Sequence, residues 1–88
     1  MKPTWEMDIL RSFAEDSSGV ATDEEIYERI KKYRRLTGNH LRFAHGHKHA
    51  YYNDVRSYIS NLCQKGDLKV LDKGLHQITL QGKRRISI

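Results

Sequence analysis

The run from Tyr51 to Gly82 constrains this chain more than any other part of it. Tyr52, Val55, Ile59 and Leu62 recur at helical spacing, which predicts one amphipathic helix over about 51–65, stopped by Gly66. Leu68, Val70 and Leu71 then lead into Asp72-Lys73-Gly74, and Leu75 to Leu80 return. A turn residue before glycine between two apolar runs is a hairpin signal. A long helix followed by a hairpin leaves few folds open, because both elements need one shared apolar partner.

The upstream residues supply that partner. Trp5, Ile9, Leu10 and Phe13 predict a first helix over about 4–16, ended by Asp16-Ser17-Ser18-Gly19. Val20-Ala21 is a candidate short strand pairing with the later hairpin. Thr22 and Glu25 have capping-box spacing, and Asp23, Glu24 and Glu25 suit the positive end of a helix dipole. Ile26, Ile30 and Tyr33 extend this second helix over about 22–36, with Arg34 and Arg35 at its negative end and Gly38 as its stop. Residues 37–50 have no clean period and read as a long His-rich loop, with at most a turn of helix near Leu41–Phe43. The expected fold is α+β, a winged helix-turn-helix with three helices and a two- or three-stranded β wing, in one domain spanning 1–88.

Charge sharpens the functional reading. Residues 1–28 carry a net of −6 and residues 29–88 a net of +11. A basic part of that size suggests a polyanion, most often nucleic acid. The helix over 51–65 contains one acid, Asp54, and its outward side carries Asn53, Arg56, Ser57, Ser60, Asn61 and Gln64. Arginine reads guanine and asparagine reads adenine by paired hydrogen bonds, so this face suits base edges as well as plain solvent. In the hairpin, Lys69, Lys73 and the backbone of Gly74 suit phosphates, as do Lys48 and Arg84 outside it. Tyr51, at the helix start, is a candidate phosphate ligand, while Tyr58 and Cys63 fit packing roles.

Other chemistries have less to rest on. His45, His47 and His49 alternate and could face a metal, but no cysteine lies close and no carboxylate sits in the loop. No metal and no cofactor is therefore expected. No nucleophile–base set, phosphate-cradling glycine loop or acid pair is visible, so no enzyme activity is expected. Asp67 and Asp72 fit cap or turn roles. No apolar run of membrane length occurs, the first residues lack an apolar signal region, and one cysteine suits a reducing, cytoplasmic setting.

The run YYNDVRSYISNLCQKGDLKVLDKGLHQITLQGKRRI resembles the N-terminal winged-helix domain of Mrr-like restriction-system proteins. Asn53, Val55, Leu62, Gly66-x-Leu68, the Lys73-Gly74 tip and Ile78-Thr79-x-x-Gly82 carry the resemblance, with Glu25-Ile26 and Leu36-Thr37 upstream. Ser57, Tyr58 and His76 depart from it. The resemblance implies a domain that binds double-stranded DNA, often ahead of a nuclease domain. Six residues follow Gly82, so a free-standing regulator or a fragment is expected rather than a nuclease. One alternative is a protein-interaction adaptor, whose acidic first third, Glu6 to Glu28, would face a basic partner or a second copy in a homodimer; a second is a metal-responsive regulator using His45, His47 and His49.

Overall fold

The computed structural model of the chain describes residues 4–36, 38–41, 43–45 and 48–87, and leaves the side chains of 39, 40, 43–45, 48 and 49 outside that description. Helix α1 (Trp5–Ala14) begins at Thr4, whose hydroxyl accepts a hydrogen bond from the Met7 amide at 3.2 Å. Its Ile9, Leu10 and Phe13 are fully buried. Strand β1 (Val20–Thr22) follows, as the sequence suggested. Helix α2 (Asp23–Arg29) then starts with the expected capping box. Thr22 Oγ1 accepts from the Glu25 amide at 3.2 Å, and the Glu25 carboxylate accepts from the Thr22 amide at 3.0 Å.

Helix α2 is shorter than its pattern suggested. It tightens into a 3-10 turn at Ile30–Lys32, where the amides of Tyr33 and Arg34 both return to the Ile30 carbonyl. That shared acceptor ends the helical ladder before Arg34 and Arg35. Arg34 instead reaches Asp8 at 3.1 Å and lies over the Trp5 ring. Gly38 is not a helix stop. It opens the short helix α3 (Gly38–Leu41).

The expected long loop at 37–50 is also corrected. After α3 come β2 (Phe43–His45) and β3 (Lys48–His49), paired antiparallel and packed against the helix that follows. Strands of two and three residues are too short to show a period in sequence. The expectation of three helices therefore undercounts this chain.

Helix α4 (Ala50–Lys65) buries Tyr51, Val55, Ile59 and Leu62. Gly66, at φ +89°, ends it: its amide returns to Cys63 and the Asp67 amide to Leu62. This is a Schellman stop, which needs a residue in the left-handed region. Strands β4 (Leu68–Asp72) and β5 (Leu75–Ile78) then form the hairpin, and the sheet order is β1-β5-β4, all antiparallel. A bulge falls between Val70 and Asp72 on the edge strand β4. Bulges and charges such as Lys69 discourage pairing along an open edge.

The second hairpin strand ends at Ile78 rather than Leu80. Thr79 caps a further helix, α5 (Leu80–Ile86), by accepting from the Gly82 amide at 3.1 Å. Its hydroxyl also donates to the Gly66 carbonyl at 2.6 Å, which ties the two helix ends together. The basic run Lys83-Arg84-Arg85 is thus helical. Asp67 is fully buried rather than a plain turn residue, and its carboxylate receives Arg85 and, at 2.9 Å, Gln81. One buried cluster, from Ile9 through Ile30, Tyr51 and Leu62 to Ile78, unites α1, α2, α4 and the sheet. Among the described residues no helix is long and apolar enough to cross a membrane.

Candidate nucleic-acid interface

The exposed face of α4 carries Asn53, Ser57, Ser60 and Asn61, with Arg56 on the flank nearest the sheet. This follows from burying positions 51, 55, 59 and 62, which turns 53, 57, 60 and 61 outward on a 3.6-residue period. Lys69 and Lys73 are exposed on the hairpin and Arg84 on α5. Gly74 holds the hairpin turn at φ +71°.

Tyr51 does not face a ligand. It is fully buried, and its hydroxyl donates to the Tyr27 carbonyl at 3.2 Å. Burial and the neighbouring Tyr52 ring push its phenol well above the usual tyrosine range. Tyr58 packs as expected, stacked on Trp5 at 5.7 Å. Cys63 is half-buried, and burial pushes its thiol up, the opposite of what a nucleophile needs. His47 lies outside the described residues, as do the side chains of His45, Lys48 and His49.

Two openings flank α4. A groove of about 840 Å³ runs between the start of α2, the first half of α4 and the hairpin turn. It brings together Asn53, Arg56, Lys73 and Gly74, and its walls include Asp23, Glu24, Tyr27 and Tyr52. The Asp23 amide donates to the Gly74 carbonyl at 3.1 Å, which fastens the turn to α2 and sets the groove's width. A smaller opening of about 250 Å³ continues along α4 past Arg56, Ser60 and Val70 to His76. Ser57, Asn61, Lys69 and Arg84 line neither.

Charge pairing divides the bases into two groups. Arg11 and Arg34 hold Asp8, Arg29 holds Glu25, Lys31 holds Glu28, Lys32 holds Glu15, and Lys65 and Arg85 hold Glu6. Arg35, Arg56, Lys69, Lys73, Lys83 and Arg84 make no ion pair among the described residues. Most of these free bases lie on α4, the hairpin and α5. The acidic first third is largely taken up by internal pairs, so it does not offer a continuous acidic face.

Three acids behave differently, and sequence reasoning missed their place. Asp23, Glu24 and Asp72 line the groove, and no Lys or Arg pairs with them among the described residues. Asp23 lies 3.6 Å from His76 Nδ1, and neither facing atom has a hydrogen-bond partner among the described residues. Burial pushes the Asp23 carboxyl above its usual range. Burial and then Asp23 push the Tyr27 phenol up to about 12. The signal in sequence was a surplus: of Asp23-Glu24-Glu25, the capping box uses only Glu25.

These shifts set the acid limb of stability. Hydrogen bonds from the Thr22 amide and hydroxyl hold Glu25 below its ordinary 4.5. Burial acts against Glu15, but hydrogen bonds from Lys32 and Tyr33 still hold it low. A lowered carboxylate contributes stability above its unfolded pKa and loses it as pH falls through the folded value. Asp23 has the opposite sign: its contribution is present below 3.8 and lost as pH rises through its raised folded value. The thermal midpoint should therefore fall as the pH drops through the range where Glu15 and Glu25 take up protons, and Glu25→Gln should shrink that fall. Circular-dichroism melts across the acid range check this; a midpoint that rises on acidification would contradict it.

The chain matches no family model, no curated protein and no solved structure.

Proposed function

We propose that this is a winged-helix protein that binds double-stranded DNA and carries out no catalysis of its own. Helix α4 enters the major groove, and the β4–β5 hairpin lies on the adjacent backbone as the wing. The observation that carries this reading is the division of the bases. The first two helices have their cations tied to carboxylates, while Arg56, Lys69, Lys73 and Arg84, on α4, the hairpin and α5, make no ion pair among the described residues. Free cations release counterions from DNA, whereas paired ones must first break a salt bridge.

The polar residues on the outer face of α4 support base contact, and the resemblance to Mrr-like N-terminal domains supports the same reading. The internal pairing of Glu6, Asp8, Glu15, Glu25 and Glu28 weighs against an adaptor that presents its acidic third to a partner. Fluorescence anisotropy with a random-sequence duplex at two salt concentrations tests the proposal. Binding that weakens steeply with salt is expected. No binding at low salt would move the function to a protein partner.

A further inference from the structure

The groove beside Arg56 holds charges of both signs that form no ion pair among the described residues. Arg56 and Lys73 line it together with Asp23, Glu24 and Asp72, yet no ion pair joins the two sets. Glu15 and Lys32, by contrast, reach one another at 2.9 Å. A groove that keeps its charges apart has room for a ligand that carries an acceptor and a donor side by side.

A phosphate fits only half of that description. It would meet Arg56 and Lys73 favourably and the three carboxylates unfavourably. At separations of about 8 Å each carboxylate–phosphate pair costs on the order of half a kcal/mol in water, and more between low-dielectric walls. A base edge fits better. Guanine offers two acceptors to an arginine, and cytosine offers an amino donor to a carboxylate. Thymine presents an acceptor and a methyl group, and the amino group of adenine lies beside an acceptor nitrogen that repels a carboxylate.

We infer that this groove is a base-reading slot in which Asp23 and Glu24 exclude phosphate and accept from a cytosine amino group, beside a guanine read by Arg56. The inference rests on the DNA-binding reading and adds its sequence preference. Asp23 suits the role because it lines the groove with its Oδ2 toward Gly74, while its Oδ1 is buried against His76, and its amide holds the wing turn in place. Glu24 is exposed at the groove's rim, beside Asp23 on the first turn of α2. The carboxylates thus lower affinity for DNA in general and restore it at one kind of site, a form of specificity by exclusion.

The test compares the unaltered protein with Asp23→Asn, Glu24→Gln and the double variant. Each change leaves the Thr22–Glu25 capping box and the Asp23 backbone bond in place, and melts confirm folding. Affinity for a random duplex should rise roughly two- to fivefold for each charge removed. In selection from a randomised duplex pool, the unaltered protein should enrich cytosine next to guanine. The double variant should keep guanine and lose cytosine. If the protein binds DNA but the variants match it in affinity and base preference, the inference is wrong while the DNA reading stands. If the unaltered protein and every variant bind no duplex at low salt, the DNA reading fails and the inference fails with it.

Discussion

Gly82→Ala should lower the thermal midpoint of this protein by roughly 5–15 °C. In an ordinary helix the same change gains about 1 kcal/mol, because alanine has less backbone freedom to lose. Here the sign reverses. A Cβ at Gly82 would fall inside contact distance of the Asp67 carbonyl oxygen and 2.8 Å from Ile78 Cγ1. Neither neighbour can yield cheaply. The Asp67 carbonyl accepts the Thr79 amide at 2.9 Å, the Asp67 carboxylate is anchored by Arg85, and Ile78 belongs to the core. Overpacking of this kind costs about 1–3 kcal/mol or more, which exceeds the propensity gain. Gly38→Ala is the matched control. Among the described residues nothing beyond its own stretch of chain lies within 4 Å of a Cβ there, so that variant should be neutral or slightly more stable. Circular-dichroism melts of the two variants decide the matter. Equal midpoints would remove the close approach of α5 to Asp67 from the account of stability.

The same contact explains why Thr79-x-x-Gly82 was legible as a pattern but not as a structure. The spacing marks a capping threonine and a residue that must lack a side chain. In sequence it reads equally well as the end of a strand, since Ile78 and Thr79 both favour sheets. The deciding interaction is the fit of Gly82 against Asp67, fifteen positions earlier in the chain, which no local pattern reveals. Conversely, α1, the Thr22 box, α4 and the Gly66 stop were readable because each rests on contacts within a few residues.

The interface was legible in part for the same reason. Helical periodicity alone places Asn53, Ser57, Ser60 and Asn61 outward. It could not reveal that Tyr51 points inward to Tyr27, because position 51 stands one residue from Tyr52 and either could have headed the stripe. Nor could it reveal that the start of α2 meets the hairpin turn. That meeting depends on the Asp23–Gly74 backbone bond across about fifty residues, and it converts two helix-start acids into walls of a groove.

The wing and the groove should lose DNA in different ways. If four to six phosphates are contacted, log affinity should fall with log salt at a slope of roughly −4 to −5, which is about 10²–10³-fold between 50 and 200 mM. Lys69 and Lys73 stand exposed on the hairpin without a partner among the described residues, so each should account for about one unit of that slope. The double change Lys69→Ala with Lys73→Ala should therefore bind all sequences more weakly and with a slope shallower by about two. Lys73 also lines the groove, from its exposed turn, but Arg56 is the base whose charge acts on the Asp23 carboxylate, so Arg56 is the one those carboxylates hold from phosphate. Arg56→Ala should cost about 1–3 kcal/mol at guanine-containing sites and little elsewhere, with the slope nearly intact. Anisotropy titrations at several salt concentrations, on a selected site and on a random duplex, separate the two patterns. A uniform loss with a shallower slope for Arg56→Ala would make it a backbone contact, and the acids around it would then oppose binding at every sequence. An unchanged slope for the lysine pair would move the backbone contacts off the hairpin, toward Lys83 and Arg84 on α5.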